Sequence, residues 1–321
     1  MKKRVLSGIQ PSGTIHIGNY FGAIKQFIDL QTENECFIFI ANYHALTTIK
    51  DPHLLKSYTN DVALNYLASG LDPNKVAIFR QSDVPEVCEL SWILSTITPM
   101  GLLERCHSYK DKIAKGISPD HGLFAYPVLM AADILIYNSD IVPVGKDQIQ
   151  HVEVARDIAI KFNNLYGEVL KVPDLMINKT TAVVPGIDGQ KMSKSYDNYI
   201  SQFWDDSQLK KSISRIVTDS KPLEDPKDPD SCNVFAIYSL IATPEEIAEM
   251  RNKYTSGNYG YGHAKKELLE KIKDFFAESR ERYNELKTDP DYIESVLLNG
   301  ASIASKQAKQ TLNAVRSVVG L

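Results

Sequence analysis

The sequence predicts an α/β protein with a doubly wound parallel sheet in its first half and a helical second domain. Short β-rich runs alternate with amphipathic helical patterns up to about Tyr199, and beyond it the pattern is mostly helical. At 321 residues the chain also exceeds the ~250–300 residues over which a single core usually grows. We therefore expect two domains, with ligands bound at the carboxyl ends of the parallel strands.

The predicted strands are short and apolar. The first begins at Val5-Leu6, and the third candidate is Val76–Phe79. Between them, Cys36–Ala41 is apolar at every position, which is typical of a strand buried on both faces. Because such strands belong inside a parallel sheet, we expect helices to cover both faces of this sheet.

The predicted helices follow from an apolar period of 3.6 residues. One covers about 19–30 and another about 87–97. Between them, a helix begins at Asp51-Pro52, a capping residue followed by proline, and ends at Gly70. Further helical patterns in the second half cover 264–287 and 303–319.

Composition and charge limit the possible classes of function. The net charge is −4, so no global basic field attracts nucleic acid, although a local basic patch would suffice. The last 21 residues carry basic but no acidic side chains, which fits an RNA contact and a solvated helix face equally well; the basic residues are Lys306, Lys309 and Arg316. The four cysteines form no CxxC pair. With no signal-peptide pattern and no apolar run near ~20 residues, we expect a cytoplasmic protein without a membrane partner.

Residues 7–19, SGIQPSGTIHIGN, connect the first strand to the first long helix through a Gly/Pro/Ser turn. An α/β sheet binds phosphates at this point, because free backbone N–H groups and the helix dipole favour an anion. His16 would donate to a phosphate oxygen, and Gly18 would let a flat base or ribose lie against the backbone. Taken alone, the segment is also explained by a capped helix start with an incidental histidine.

A second segment rich in cations follows later in the chain. Residues 189–196, GQKMSKSY, carry Lys191 and Lys194 in a loop introduced by glycine and proline. A lysine-rich loop alone is usually a solvated surface. Two anion-holding segments at one edge of the same sheet make a nucleoside triphosphate the favoured ligand.

Together the two segments resemble the paired signatures of class I aminoacyl-tRNA synthetases. His16-Ile-Gly-Asn19 is similar to the first signature, and Lys191-Met-Ser-Lys-Ser195 matches the second without deviation. Asn19 stands where most of that class has histidine, a departure that is usual in tryptophanyl-tRNA synthetases. Residues 126–137 (YPVLMAADILIY) and 142–151 (VPVGKDQIQH) also resemble the tryptophan-binding region of that group.

The resemblance implies a tryptophan–tRNA ligase that uses L-tryptophan, ATP and tRNA(Trp). It implies a Rossmann-type catalytic domain over residues 1–205, including a connective insertion at about 105–184, and a helical anticodon-binding domain over residues 206–321. Mg²⁺ would accompany ATP, with no metal held by protein ligands alone, and the family is typically a homodimer.

The middle segment would form the tryptophan pocket. The indole N–H can only donate, so a carboxylate such as Asp133 is its natural acceptor. Spacing alone favours a different role for Asp133, as a helix residue paired with Arg105 or Arg156, whereas the resemblance favours the indole role. His44 either lines the same pocket or is a core histidine. The remaining expected tryptophan contacts are Leu6 and Met130 on the ring faces, and Tyr126 and Gln148 at the amino group.

The expected ATP contacts come from three parts of the chain. They are Gln10, Pro11, Ser12, Gly18, Asn19, Gly145, Lys146, Asp147, Val183, Lys191, Met192, Ser193, Lys194 and Ser195. His16, Lys191 and Lys194 are the expected catalytic residues, because they would stabilise charge on the departing pyrophosphate. Lys146 stands where the family often has glutamate. Lys110 and Lys112 would add phosphate or tRNA contacts.

Three other functions remain open from the sequence. A tyrosyl-tRNA synthetase shares the fold and the chemistry but would need a different pocket around Met130–Asp133. A small nucleotidyltransferase with a similar histidine motif is usually shorter and lacks a long helical domain. A non-catalytic tRNA-binding paralogue predicts a broken anion site, yet His16, Lys191 and Lys194 are all present.

Overall fold

The structure, a computed structural model, describes residues 2–106, 116, 120–145, 148–177 and 184–321. Its described strands are β1 (Arg4–Ile9), β2 (Glu35–Ile40), β3 (Val76–Arg80), β4 (Ile141–Val144) and β5 (Asp174–Ile177). Its described α-helices are α1 (Ile17–Asn19), α2 (Lys25–Leu30), α3 (Asn42–Ala45), α4 (Pro52–Ser69), α5 (Glu86–Ser95), α6 (Met100–Glu104), α7 (His121–Ile136), α8 (Ile149–Tyr166), α9 (Asp206–Ser214), α10 (Asn233–Tyr238), α11 (Pro244–Ser256), α12 (Tyr261–Phe275), α13 (Ala277–Lys287) and α14 (Pro290–Val319).

The five strands form one parallel sheet in the order β3-β2-β1-β4-β5. Helices cover both faces of the sheet, so the predicted doubly wound α/β fold is confirmed. The strand order changes direction between β1 and β4, which opens a crevice at the carboxyl ends of those two strands. We therefore look for the functional site at that edge.

The predicted helix at about 19–30 exists but is not a uniform α-helix. It begins with α1, passes through a π-helical turn at Tyr20–Ile24 and ends as α2. Ile24 and Phe27 are buried against the sheet, as their spacing predicted. Short π-helical turns of this kind occur often at functional sites, and this one directly follows the first signature segment.

Helix α4 begins and ends where the sequence predicts. The side chain of Asp51 accepts hydrogen bonds from the backbone N–H groups of His53 and Leu54, so it caps the helix before Pro52. At the other end Gly70 has a φ of 112°, in the left-handed region where glycine is favoured.

A second apolar core joins the helices after Tyr199 to the signature segments. It contains residues of α9 to α12, including Leu209, Phe235 and Leu268, and also Ile17 of α1 and Met192. The backbone N–H of Ile17 donates to the carbonyl oxygen of Ile200 at 2.9 Å. The helical part of the chain therefore holds both signature segments in place.

The last helix packs on the sheet and not on this second core. The predicted pattern at 303–319 covers only its C-terminal part, because α14 extends from Pro290 to Val319 and lies against β3. A Cβ atom on Gly300 would lie 1.9 Å from the carbonyl oxygen of Ile78, so glycine allows this close approach. The predicted boundary between residues 205 and 206 stays a prediction, and the packing of α14 associates this helix with the sheet.

Two of the three basic residues of α14 have acidic partners within the protein. Arg316 forms a bidentate ion pair with Glu89 of α5, with both N–O distances at 2.6 Å, and Lys309 lies 3.7 Å from Glu86. These contacts favour an intramolecular role over an RNA contact for both side chains. Separately, none of the described helices is both long enough and apolar enough to cross a membrane.

Candidate active site

Residues that follow four adjacent strands meet at the carboxyl edge of the sheet, and three of them carry polar side chains. Gln10 directly follows β1, His44 lies on α3 after β2, Gln81 directly follows β3, and Gly145 directly follows β4. The side-chain amide of Gln10 donates to the carbonyl oxygen of His44 at 3.3 Å and links the first two. The site lies where the fold predicts it.

Asp133 on α7 is the buried acid of this site. Only 2% of its surface is exposed, and its carboxylate accepts hydrogen bonds from His44 Nε2 at 2.8 Å and from Gln81 Nε2 at 2.9 Å to each oxygen. Burial raises the pKa of the Asp133 carboxyl, and the hydrogen bonds from His44 and Gln81 oppose that rise. A carboxylate has about four lone-pair positions, so Asp133 can accept another donor.

Among the described residues, no arginine pairs with Asp133. Arg156 lies 3.7 Å from Glu153 and 3.9 Å from Asp174, and it donates to the carbonyl oxygen of Pro173. The acid is held instead by His44, which the sequence left open, and by Gln81, which the sequence analysis missed. The available signal for Gln81 was its position directly after a buried strand, at the edge where ligands bind.

The expected apolar residues belong to the core that surrounds this edge of the sheet. Leu6 on β1 is buried, and Met130 lies three residues before Asp133 on the same helix; both pack in the main core. The ring of Tyr126 meets that of His44 edge-on at 6.2 Å between centroids, and its hydroxyl is 3.2 Å from His151 Nε2. Gln148 stands at the start of α8, and its backbone N–H donates to the carbonyl oxygen of Gly145 at 3.0 Å.

Two cavities in the described part of the chain are considered as ligand sites. One, of about 340 Å³, is lined by both His44 and Tyr126 and lies beside the Asp133 cluster. The other, of about 490 Å³, includes Ile141 and Asp174, the first residues of β4 and β5, and therefore lies at the amino ends of the strands. Because parallel sheets bind ligands at their carboxyl ends, the first of these adjoins the candidate site, although Asp133 and Gln81 are not among the residues that line it.

His16 caps α1 and is buried, with 5% of its surface exposed. Its backbone N–H donates to Asn19 Oδ1 at 3.2 Å, and its Nδ1 atom has no hydrogen-bond partner among the described residues. Burial, and to a smaller extent the charge of Lys194, lowers the pKa of His16 to about 4. His16 is therefore a neutral imidazole near pH 7, which can donate one hydrogen bond but carries no charge.

The backbone at Gly18 lies close to the ring of His16. A Cβ atom at this position would lie 2.9 Å from Cε1 and Nδ1 of His16, and 3.4 Å from Cβ of Met192. The glycine is thus needed to admit the His16 ring beside it. The His16 imidazole lies beside this backbone, and the prediction that a base or ribose lies against it stays a prediction.

The second signature segment forms a closely hydrogen-bonded loop. Pro185 and Lys191 form an antiparallel bridge, and the buried Met192 donates its N–H to the carbonyl oxygen of Val184 at 2.9 Å. The buried Asn198 holds the loop from inside: it donates to Asp188 Oδ1 at 2.8 Å and accepts from the N–H of Ser193 at 2.7 Å. Asn198 is a second residue that the sequence analysis missed.

The two signature lysines have different environments. Lys191 is exposed, whereas Lys194 reaches across Gly13 and donates from Nζ to the carbonyl oxygen of that residue. Gly13 has a φ of 133°, and a Cβ atom there would lie 2.9 Å from Cδ of Lys194. Burial lowers the pKa of Lys194 to about 8. This contact joins the two segments that the sequence analysis expected to hold one anion.

The other expected residues fall into two groups. Pro11 is buried in the turn after β1, and Ser12 and Ser195 are exposed. Five expected residues lie outside the described residues: Lys110, Lys112, Lys146, Asp147 and Val183.

Comparison with known proteins identifies the family. The family model for class I tRNA synthetases (W and Y) matches residues 1–277. The tryptophan–tRNA ligase of Fusobacterium nucleatum is 55% identical over 320 residues, which cover 99% of this chain and 98% of that protein.

Two solved structures are also similar. The crystal structure of the Campylobacter jejuni tryptophanyl-tRNA synthetase complexed with ADP and tryptophan has a TM-score of 0.94 at 54% identity, covering 99% of this chain and 100% of that one. The tryptophanyl-tRNA synthetase from Mycoplasma pneumoniae has a TM-score of 0.84 at 30% identity, covering 100% and 98%. The chain therefore belongs to the class I tRNA synthetases, in the tryptophanyl-tRNA synthetase family.

Proposed function

We propose that this enzyme is a tryptophan–tRNA ligase, which activates L-tryptophan with ATP and transfers it to tRNA(Trp), releasing pyrophosphate and AMP. The observation that carries the proposal is the buried carboxylate of Asp133 at the carboxyl edge of the sheet. It provides a hydrogen-bond acceptor in an apolar setting, as a donor-only indole requires.

In the tryptophan site, the indole N–H donates to Asp133 while Leu6 and Met130 cover the ring faces. His44 and Gln81 fix the carboxylate by their hydrogen bonds, so its free lone pairs point in a defined direction. Sites built on a buried hydrogen bond reject ligands that lack the donor by ~10⁴–10⁵-fold, so phenylalanine is excluded. Tyr126 and Gln148 contact the substrate ammonium group.

In the first step, a carboxylate oxygen of tryptophan attacks the α-phosphorus of ATP. The bond from that phosphorus to the bridging oxygen breaks, and pyrophosphate leaves with the electron pair. Because the substrate supplies the nucleophile, the protein contributes positioning and charge stabilisation. Lys191 and Lys194 neutralise the departing phosphates, and the neutral His16 donates one hydrogen bond to a phosphate oxygen.

Mg²⁺ reaches the site with ATP as its phosphate complex, which neutralises part of the phosphate charge. The described residues bring together no group of three or more His, Cys, Asp or Glu side chains that could hold a metal ion. Coordination by phosphate oxygens and water is compatible with that arrangement. This chain itself supplies to the phosphates the pair of lysines and the hydrogen bond from His16.

In the second step, a hydroxyl of the terminal ribose of tRNA(Trp) attacks the acyl carbon of the adenylate, and AMP leaves. The helical domain from residue 206 onward binds the anticodon in this proposal. Since aminoacyl-tRNA serves translation, we place the enzyme in the cytoplasm.

We further propose a homodimer that buries the exposed apolar surface of α5 and α6. Trp92 is 73% exposed and Met100 is 63% exposed, and large exposed apolar side chains of this kind mark interaction surfaces. Light scattering after size exclusion tests this: the unaltered chain should elute as a dimer, and Trp92→Asp should shift it toward a monomer. A monomeric unaltered chain would overturn the assignment.

The experiment that tests the function is ATP–pyrophosphate exchange with tryptophan, tyrosine and phenylalanine in turn. We expect exchange with tryptophan only. Exchange with tyrosine would identify a tyrosyl-tRNA synthetase, and exchange with none of the three would indicate a non-catalytic tRNA-binding paralogue.

A further inference from the structure

Asp61 on α4 contacts the turn that leads from β1 into α1 (Gly13–His16), and the reaction described above gives it no role. Its Oδ2 atom accepts a hydrogen bond from the backbone N–H of Ile15 at 3.3 Å. Ile15 is fully buried and directly precedes His16. The carboxylate therefore fixes the backbone at the point where the turn enters α1.

The same carboxylate acts on Lys194 through its charge alone, since the two side chains form no ion pair within 4.0 Å. The Lys194 ammonium group is held at the carbonyl oxygen of Gly13, in the turn that Asp61 supports. Asp61 raises the pKa of Lys194 against the lowering effect of burial. Burial raises the pKa of Asp61 in turn, and the hydrogen bond from Ile15 and the charge of Lys194 oppose that rise, so both neighbours favour the ionised carboxylate.

We propose that Asp61 is a positioning residue for ATP activation: it anchors the Gly13–His16 turn through the Ile15 N–H and supplies the counter-charge that holds the Lys194 ammonium at Gly13. The inference rests on the proposed ATP site. In the free enzyme Lys194 is then charged and already directed at the nucleotide turn. Incoming phosphate oxygens replace the Gly13 carbonyl as its acceptor.

Two further titratable groups, His16 in the turn and Tyr283 on α13, lie near this pair. His16, in the turn, has a pKa of about 4 and stays neutral above pH ~6. Tyr283, on α13, has its pKa raised by burial and by Asp61, so it stays protonated in the neutral range. Among these described groups, Lys194 is the one that changes charge between about pH 7 and 9.

The direction of the pH effect follows from these charges. Lys194 must be protonated to attract phosphate, so phosphate binding weakens as the pH rises through its pKa. Asp61→Asn removes the charge that raises this pKa but keeps an oxygen that can accept from Ile15 N–H. In a plot of phosphate affinity against pH, the fall on the alkaline side should therefore move to lower pH. The expected shift is about half to one pH unit, for the loss of a neighbouring opposite charge.

The test is the pH dependence of inorganic pyrophosphate binding to the full chain, measured by titration calorimetry, together with kcat/KM for ATP in the exchange assay. Asp61→Asn should shift the alkaline fall of both, while near pH 6.5 it should bind pyrophosphate within about threefold of the unaltered chain. Asp61→Glu, which keeps the charge, should return the alkaline fall of both quantities to the pH at which the unaltered chain shows it. The titration of pyrophosphate itself is common to all variants and cancels in the comparison.

The matched control is Asp51→Asn on the same helix. Asp51 lies ten residues from Asp61, about 15 Å along the axis, and asparagine is an equally good cap. This variant should leave the pH profile unchanged. Should Asp61→Asn be too unstable to purify, Asp61→Ser removes the charge with a smaller side chain and gives the same comparison.

Two results would overturn the proposal. One is an Asp61→Asn profile that superimposes on the unaltered profile. The other is an equal loss at every pH together with a lower melting temperature, which would mean that Asp61 only supports the fold. Failure of the proposed function is distinguishable, because it would abolish tryptophan-dependent exchange in the unaltered chain without affecting the pyrophosphate comparison.

Discussion

The proposed tryptophan site and the proposed nucleotide site, the two ends of the crevice, are constructed in different ways. At the tryptophan end, a fully buried carboxylate is held by His44 and Gln81, side chains that follow two different strands. At the nucleotide end, an ammonium group on one loop contacts a backbone carbonyl on another, 181 residues away in the chain. The hydrogen bonds of the first arrangement exist before a ligand binds, and replacing their side chains by uncharged ones disturbs them. The second arrangement is a charged contact that a ligand can replace.

Because of this difference, we expect one end to determine which amino acid binds and the other to determine the rate of the chemical step. A buried acceptor with fixed partners selects a ligand by its hydrogen bond, because removing either partner leaves a polar group unpaired. Cations that meet a polyphosphate act mainly on charge that develops as pyrophosphate leaves. We therefore expect substitutions at the first end to affect tryptophan binding and those at the second to affect the chemical step.

The largest effect is expected for Lys194→Ala. The variant should slow single-turnover adenylate formation by ~10²–10³-fold, because it removes a charge that stabilises the leaving pyrophosphate. The dissociation constant for tryptophan should change by less than about twofold, since Lys194 lies at the other end of the crevice. Rapid-quench measurement of adenylate, with fluorescence titration of tryptophan, checks both.

The control for this prediction is Lys266→Ala, which removes an exposed lysine of α12. It should form adenylate at the normal rate. If Lys194→Ala also kept the normal rate, the proposed role of the second signature loop would be wrong.

A somewhat smaller effect is expected for Asp133→Asn. The amide would bring an N–H group against the donors of His44 and Gln81, so a buried donor would lack an acceptor. Such a loss in a buried charged network costs up to ~3 kcal/mol, which corresponds to ~10²-fold in kcat/KM for tryptophan. The KM for ATP should stay within about twofold.

Asp291→Asn is the control for Asp133→Asn, because Asp291 is an exposed carboxylate at the start of α14. It should leave both Michaelis constants unchanged. An unchanged KM for tryptophan in Asp133→Asn would remove this residue from the pocket.

The sequence predicted the first three of the five strands and the ends of α4 well, because both depend on local chemistry. The apolar run at Cys36–Ala41 and the Asp51-Pro52 cap each determine their element without long-range partners. The extent of α14 was missed, since its small residues at Gly300 and Ala301 indicate close packing on β3 only once the tertiary structure is known. Periodicity alone cannot show which surface such a face will meet.

The same division applies to the site. The resemblance gave Asp133 and Lys194, whose motifs are specific, but not the residues that hold them. Gln81, Asn198 and Asp61 act through contacts with residues 52, 10 and 46 positions away, respectively, and their surroundings in the sequence carry no distinctive pattern. Side chains that position a functional group are found by their contacts, which the fold creates.

The smallest effect is expected for Gln81→Met, which tests whether the tryptophan end is preformed. Methionine has a similar length but donates no hydrogen bond, so the Asp133 carboxylate would keep only His44, and the N–H of Tyr43 would lose its acceptor. We expect KM for tryptophan to rise by about tenfold, equivalent to ~1.4 kcal/mol, with single-turnover chemistry at saturating tryptophan close to normal. Gln208→Met, at an exposed position on α9, is the matched control and should change neither quantity. An equal loss in tryptophan binding and in the chemical step would show that Gln81 does more than orient Asp133, and the separation of recognition from rate would then not hold.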